Sequence, residues 1–176
     1  MNDLLLLSTL LDGPKHGYAL KKLAGLITGQ PNLHNNLVYP LLKRFVEERW
    51  VSKRTADGQR GQTREIYALT AQGKRRLIER LSQFTEKEAR DSDQFHLRVG
   101  LFSVLSFDVQ KSILAERDRS LTSREEKLAH LTKAMDVGLW GSEVVRRLLD
   151  EVRSERKWIV HLERKVSEVS KRKNVS

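Results

Sequence analysis

Apolar residues recur at helical spacing in three short segments near the start of the chain. The first segment, residues 4–11, predicts a helix that Asp12-Gly13-Pro14 ends, because proline disfavours helix at the residue before it. The second segment predicts a helix from about His16 to Ile27, and the third predicts one from about Asn35 to Arg49. Three short helices joined by short turns match the plan of a helix-turn-helix.

Two short strands are predicted directly after the third helix, at Trp50–Thr55 and Glu65–Leu69. The loop between them, residues 57–64, carries two glycines and two arginines. Thr70 is then placed to cap a fourth helix that runs to about Arg90. Helix, strand, basic turn, strand and helix form the order of a winged helix-turn-helix, a fold whose third helix enters the major groove of duplex DNA.

The second half of the chain is helical with a different repeat. Its first apolar series recurs every seven residues and has one extra position: Leu114, Leu121, Leu128, Met135 and Leu131. Its second series keeps a three-four spacing: Leu148, Val152, Ile159, Leu162, Val166 and Val169. A break at Gly138–Gly141 separates the two series, so we expect an antiparallel helical hairpin. Such a hairpin has little core of its own, which favours dimerisation; the alternative is that both helices fold back on the first half.

These patterns predict a mainly α protein with two domains. A winged helix-turn-helix domain with a two-stranded wing is expected over residues 1–90. A helical, coiled-coil-like dimerisation region, which is also the candidate effector domain, is expected over residues 91–176. The run Asp91-Ser92-Asp93 marks the boundary. Within the second domain, the residues predicted to form the dimer contact are Leu114, Leu121, Leu128, Leu131, Ile159 and Leu162.

The net positive charge of the chain indicates a polyanionic partner. The chain has a net charge of +10, and its first 90 residues carry 16 Lys and Arg against 9 Asp and Glu. Cysteine is absent and the five histidines are scattered, so we expect no disulfide, no metal site and no cofactor. The apolar runs are shorter than a signal sequence or a membrane span, which favours a cytoplasmic protein without a membrane partner.

The start of the third helix carries the candidates for contact with base edges. Asn35 and Asn36 could pair with adenine, although asparagine at a helix start is often only a cap. Tyr39 and Lys43 lie four residues apart, so both project from one helical face, opposite much of the apolar stripe. Tyr39 is expected to be central to the contact.

The wing and the second helix carry the candidates for contact with the DNA backbone and the minor groove. Arg60 and Arg64 lie on the glycine-bearing turn, and an arginine on a narrow wing can enter the minor groove. The alternative is an ordinary exposed hairpin tip. Lys15, Lys22 and the neighbouring Lys21 could contact phosphates, which would position the domain without specifying sequence.

Four segments of the chain resemble the PadR family of bacterial transcriptional regulators. They are Gly13-Pro-Lys-His-Gly-Tyr-Ala-Leu20, Val38-Tyr-Pro-Leu-Leu-Lys-Arg-Phe45, Glu47-Glu-Arg-Trp-Val51 and Arg64-Glu-Ile-Tyr-Ala-Leu-Thr-Ala-Gln-Gly73. The resemblance implies a homodimeric winged-helix repressor whose C-terminal helices dimerise. It also implies release from double-stranded DNA by a small, often aromatic or phenolic, effector.

Two positions depart from the family pattern. The family commonly has glycine where this chain has Arg49, so either Arg49 adopts a less favourable backbone conformation or the helix ends differently. The wing usually carries a basic residue followed by proline where Gln62-Thr63 stand here, which weakens the expected phosphate contact at the base of the wing.

Three other interpretations of the chain remain as alternatives. Phe95, Phe102 and Trp140 are candidate effector-pocket residues, but helical aromatic residues more often belong to the core. A winged helix that binds protein rather than DNA is the second interpretation, and replacing Tyr39 or Arg60 would then leave function intact. An enzyme is the weakest interpretation, because no phosphate-binding glycine loop or nucleophile elbow is present.

Overall fold

The computed structural model describes residues 2–28, 35–57, 63–134 and 138–173 of the 176-residue chain. The chain forms two compact units, Met1–Gln83 and Phe84–Ser176. Residues 84–90, which the sequence analysis assigned to the first domain, lie in the second unit. The ring of Phe84 stacks on that of Phe95 with centroids 6.4 Å apart, which anchors this segment in the second unit.

The described part of the first unit contains four helices and a small antiparallel sheet. In chain order its elements are α1 Asn2–Ser8, β1 Lys15–His16, α2 Gly17–Thr28, α3 Asn35–Glu47, β2 Val51–Asp57, β3 Thr63–Leu69 and α4 Ala71–Ser82. The pair α2 and α3 forms the helix-turn-helix, and the hairpin of β2 and β3 forms the wing. The winged helix-turn-helix predicted from the sequence is therefore confirmed.

The sheet has three strands rather than the predicted two. Strand β3 lies in the centre, with β2 along one edge and the two-residue β1 along the other. Lys15 pairs with Tyr67 and His16 with Ile66. Two residues between Pro14 and the start of α2 are too few to show the alternation that identifies a strand, which explains why β1 was missed.

Two helices of the first unit end earlier than predicted. Helix α1 ends at Ser8, and the chain continues through tight turns in which the Leu10 amide donates to the Leu7 carbonyl at 3.1 Å. These turns still bury Leu10, so the apolar spacing extends beyond the helix. Helix α4 ends at Ser82 rather than Arg90, because Thr85 starts a new helix with a capping box that it forms with Glu88.

The core of the first unit lies under the helix-turn-helix and the sheet. Its buried apolar side chains include those of Leu4–Leu7, Leu20, Val38, Leu42, Phe45, Val51, Tyr67, Leu77 and Leu81. Burial of such a side chain contributes about 1.5–3 kcal/mol. Four consecutive buried leucines on α1 show that this helix is surrounded, so it supports the domain from inside.

A compact junction joins α3, β2 and α4. Arg49 has φ +59°, the left-handed conformation that the missing glycine would favour, so the first of the two alternatives for this position is correct. Thr70 caps α4 by accepting from the Gly73 amide at 2.9 Å, as predicted, and its hydroxyl donates to the Arg49 carbonyl at 2.8 Å. A Cβ at Gly73 would lie 2.0 Å from the Trp50 carbonyl oxygen. These contacts fix the wing at the end of α3.

The second unit is helical throughout its described residues. Its elements are α5 Glu86–Ala89, α6 Ser92–Gly100, a 3-10 turn Phe102–Val104, α7 Phe107–Ala134 and α8 Gly138–Lys173. Along α7, Phe107, Arg117 and Glu125 contact Lys173, Glu155 and Arg153 of α8. As the residue numbers increase along α7, the numbers of their partners on α8 decrease, so the two helices run in opposite directions. The predicted antiparallel hairpin is therefore confirmed.

A seven-residue apolar repeat forms the buried seam of α8. Val145, Val152, Ile159 and Val166 are buried, whereas the predicted Val169 is exposed and Leu148 and Leu162 are half-buried. The apolar spacing therefore predicted the repeat but not its first member, Val145. On α7 the seam includes Ile113, Leu114 and Leu121.

A buried arginine links the four α-helices that the structure describes in the second unit. Arg117 of α7 is almost fully buried and forms two hydrogen bonds of 2.8 Å to the Glu155 carboxylate of α8. It also donates to the Ala89 carbonyl of α5 at 2.6 Å and to Ser92 of α6 at 2.7 Å. A buried charge requires such complete pairing, so Arg117 fixes how these helices meet.

Candidate nucleic-acid interface

Helix α3 separates a buried face from an open one. Val38, Leu42 and Phe45 are buried, while Tyr39 is 43% exposed. The Lys43 side chain is 81% exposed and lies 3.9 Å from Glu47. The structure thus places Tyr39 and Lys43 together on the open face, as the four-residue spacing predicted. Asn35 and Asn36 are in the first turn of α3, but their side chains lie outside the described residues.

A surface recess of about 570 Å³ adjoins Tyr39. Its lining combines the start of α2, one residue of α3 and part of β3: His16, Gly17, Tyr18, Ala19, Tyr39, Arg64, Glu65 and Tyr67. Because β1 holds the start of α2 against β3, the helix-turn-helix and the wing form one continuous surface here. Tyr67 is buried and belongs to the core of the first unit.

Two arginines project from the same face of the wing. In the antiparallel register Arg54 pairs with Ile66, and Arg64 lies two residues before Ile66, so both side chains lie on one side of the sheet. Both are exposed. Arg64 was predicted, whereas Arg54 was missed because only the strand register relates it to Arg64. Arg60 lies outside the described residues.

An ion pair on the opposite face of the wing neutralises Glu65. Lys53 forms a salt bridge with Glu65, and the Tyr67 hydroxyl donates to Glu65 Oε2 at 2.7 Å. The hydrogen bond from Lys53, followed by that from Tyr67, holds the pKa of Glu65 below its ordinary value. Burial and the nearby Glu65 carboxylate raise the pKa of Tyr67, so its phenol stays protonated near neutral pH. The Glu65 charge is therefore compensated next to the candidate DNA-contacting arginines.

The predicted phosphate-contacting lysines differ in their availability. Lys22 is exposed on α2. The Lys15 ammonium lies 2.7 Å from Asp12 Oδ1, and its side chain is only 16% exposed. That hydrogen bond lowers the pKa of Asp12, so a phosphate would have to replace a charged partner to reach Lys15. The side chain of Lys21 lies outside the described residues.

Arg44 does not belong to the open face of α3. It forms a hydrogen-bonded salt bridge with Asp3 of α1, and its guanidinium lies 5.3 Å from the centroid of the Phe45 ring. Arg44 therefore joins α1 to α3. An exposed helical arginine and one that contacts another element have the same sequence pattern.

The candidate effector residues of the second unit differ in their exposure to solvent. Phe95 is buried and packs edge-on against Trp158, with centroids 5.8 Å apart. Trp140 is 79% exposed at the start of α8, and Phe102 is half-buried in the 3-10 turn. Phe95 is thus a core residue and Trp140 a surface residue, so the two do not face one pocket.

The predicted dimer residues are largely used inside the single chain. Leu114, Leu121 and Ile159 are buried in the second unit, and Leu128 and Leu162 are half-buried. Leu131 is the exposed member of this set. The large apolar residues that α8 exposes near its start are instead Leu139, Trp140 and Val144.

Across the described ranges, no group of three or more His, Asp or Glu side chains is arranged to hold a metal ion. None of the helices in the described part of the chain is long and apolar enough to cross a membrane.

Comparisons with known proteins identify relatives of the first unit. The model of the transcriptional regulator PadR-like family matches residues 6–79, from within α1 to within α4. TA0346 from Thermoplasma acidophilum, assigned as a transcriptional regulator, is 32% identical over 44% of this chain and 74% of its own, with a TM-score of 0.42. No curated protein matches the sequence.

Two solved structures are similar over nearly the whole chain. PadR of Bacillus subtilis in complex with operator DNA is 19% identical, covering 93% of this chain and 98% of its own, with a TM-score of 0.44. The same protein in complex with p-coumaric acid is 18% identical, covering 94% and 98%, with a TM-score of 0.42. The family match coincides with the helix-turn-helix, the wing and the four sequence motifs. This chain belongs to the PadR-like family of transcriptional regulators.

Proposed function

We propose that this protein is a homodimeric repressor that recognises a specific sequence in double-stranded DNA and does not catalyse a reaction. One observation carries the proposal: the exposed Tyr39 and Lys43 share a surface with the wing that presents Arg64. In this proposal Tyr39 and the asparagines at positions 35 and 36 contact base edges, and Lys43 and Lys22 contact phosphates.

The wing supplies the second set of contacts. Arg54 and Arg64 extend from one face of the hairpin, and Arg60 lies between the two strands in the sequence. Arginine is favoured in a narrow minor groove because of the negative potential there. Neutralisation of Glu65 by Lys53 supports this assignment, since it removes a repulsive charge from the wing.

Dimerisation in this proposal uses the exposed start of α8 rather than the buried seam. Leu139, Trp140 and Val144 place three large apolar side chains in solvent within six residues. A second copy that covers them would remove this apolar area from water. Two helix-turn-helix units would then occupy half-sites about one helical turn apart, and the bound dimer would block transcription.

The proposal includes release from DNA by a small molecule, of the aromatic or phenolic kind that the family resemblance implies. Release requires that the molecule bind the two conformations of the dimer with different affinity. Isothermal titration of the full chain with p-coumaric acid, which Bacillus subtilis PadR binds in its solved complex, tests the effector separately from DNA binding.

The decisive experiment is selection of duplexes from a randomised pool by the full chain, followed by fluorescence anisotropy at two salt concentrations. The selected duplex should bind at least about 10³-fold more tightly than a scrambled duplex. Equal, salt-sensitive affinity for both would contradict sequence recognition. Absence of binding at low salt would favour the alternative, a winged helix that binds protein.

A further inference from the structure

A single glycine determines how closely the Tyr39 ring approaches the start of α2. A Cβ at Gly17 would lie 3.1 Å from Tyr39 Cε1 and 3.5 Å from the Tyr39 hydroxyl oxygen. The first of these distances is tighter than nine in ten real Cβ contacts. Gly17 is not among the described glycines with positive φ, so the space, and not the backbone conformation, calls for glycine here.

The backbone of Gly17 is in turn held by the sheet. Strand β1 runs directly into Gly17, and its two residues pair with Tyr67 and Ile66 of β3. Strand β3 also carries Arg64 at its wing end. The Tyr67 hydroxyl bonds to Glu65, which Lys53 of β2 holds from the neighbouring strand. One strand therefore fixes both the wing arginine and the surface against which Tyr39 rests.

We propose that Gly17 is a positioning residue for DNA sequence discrimination. Its missing side chain lets the Tyr39 ring lie on the start of α2, which fixes the phenol relative to the wing. A ring that is already restricted loses less conformational freedom when DNA binds, and its hydroxyl reaches one position rather than several. The inference rests on the proposed function, because it assumes that Tyr39 contacts the duplex.

The test uses Gly17→Ala in the full chain, with Gly100→Ala as the matched control. A Cβ at Gly100 meets nothing within 4 Å, and both glycines lie in helices without positive φ. Neither site requires a positive φ, and the exposed Tyr39 ring has room to move outward. Both variants should therefore melt no lower than the wild-type chain.

Fluorine NMR measures the positioning without DNA. The chain has three tyrosines, so incorporation of 3-fluorotyrosine gives a small set of resonances that single Tyr→Phe variants assign. The Tyr39 resonance should shift in Gly17→Ala and stay in place in Gly100→Ala. An unchanged Tyr39 resonance in Gly17→Ala overturns the positioning role.

A double-mutant cycle with Tyr39→Ala then connects the position to discrimination. Gly17→Ala should reduce the preference for the selected over the scrambled duplex by roughly 3- to 10-fold, and should have no further effect in the Tyr39→Ala background. Equal losses in both backgrounds overturn the coupling and leave the proposed function intact. If the wild-type chain selects no duplex, the proposed function fails, and the role of Gly17 in discrimination fails with it.

Discussion

At the scale of single residues, the positive charge that is available to DNA depends on which basic side chains already form ion pairs with acidic residues. Lys15 is held by Asp12, Lys53 by Glu65 and Arg44 by Asp3. Arg54 and Arg64 have no acidic partner among the described residues. The contribution of the wing to DNA binding should therefore come from these two arginines.

We expect Arg54→Ala and Arg64→Ala each to reduce the slope of log affinity against log salt by about 1, because each removes one positive charge that releases about one counterion from the DNA phosphates. The measurement is anisotropy with the selected duplex over a salt series. Arg119→Ala is the control, since Arg119 is an exposed arginine of α7 that pairs with Glu116 in the second unit. If the Arg64 variant keeps the wild-type slope of log affinity against log salt, the wing is excluded from the interface.

The candidate site could be predicted from the sequence where a single element determines it. Helical spacing was sufficient to place Tyr39 and Lys43 on the open face of α3. Arg54 depends on the pairing of β2 with β3, and the role of Arg44 depends on its contact with α1. Gly17 belongs to a motif in the sequence, but its contact with Tyr39 requires the packing of two helices.

At the scale of elements, α4 is seated on the turn between α3 and β2. The Trp50 carbonyl accepts from the Thr70 amide at 3.0 Å, and the Thr70 hydroxyl oxygen lies 3.0 Å from the same carbonyl oxygen. Gly73 passes so close to this carbonyl that no side chain fits. The seat therefore depends on a backbone contact that cannot relax by a rotamer change.

Overpacking usually costs roughly 1–3 kcal/mol. Gly73→Ala should destabilise the first unit by an amount near the upper end of that range, because the added methyl meets backbone. Chemical denaturation monitored by circular dichroism measures the loss. Gly100→Ala, which meets open space, serves again as the control and should have the wild-type midpoint within error. An unchanged midpoint for Gly73→Ala would mean that α4 is not seated in this way.

Two glutamates of α8 should differ sharply in how much they stabilise the hairpin of α7 and α8. Glu155→Ala leaves the buried Arg117 without its carboxylate and should cost about 3–5 kcal/mol. Glu151→Ala removes the partner of the exposed Arg147 and should cost at most about 1 kcal/mol. Urea denaturation of both variants tests the difference, and similar costs would show that Arg117 finds another partner.

The sequence predicted the type and order of the elements better than their ends. Periodicity identified α3, the wing strands and both long helices, because each spans several turns or alternations. It failed for β1, which has two residues, and for the end of α4, where the Thr85 cap starts a new helix inside a continuous charged segment. Short elements depend on partners that are distant in sequence.

At the scale of the whole molecule, the proposed dimer depends on side chains that the single chain leaves uncovered. Trp140→Asp should convert the dimer to a monomer while keeping the fold. Trp140 is 79% exposed, and within the described residues its ring packs against no other aromatic ring. Light scattering and circular dichroism measure the two effects. Val160→Asp, at an exposed apolar position far along α8, should remain dimeric.

A contrasting variant separates this proposal from dimerisation through the heptad seam. Leu121 is buried in the single chain, so Leu121→Asp should unfold the second unit rather than release folded monomers. Folded monomers from Leu121→Asp, together with an intact dimer in Trp140→Asp, would assign the interface to the seam.

The short strand β1 also bears on solubility. It covers β3 only at Tyr67 and Ile66, so the part of β3 nearer the wing tip has one edge without a strand partner in the described structure. Open strand edges recruit strands of other molecules and start aggregation unless charged residues prevent it. Arg64 and Glu65 occupy this stretch. These two charges would thus protect the open edge of β3, and neutral replacements of Arg64 and Glu65 would make a concentrated solution of this protein prone to form fibres.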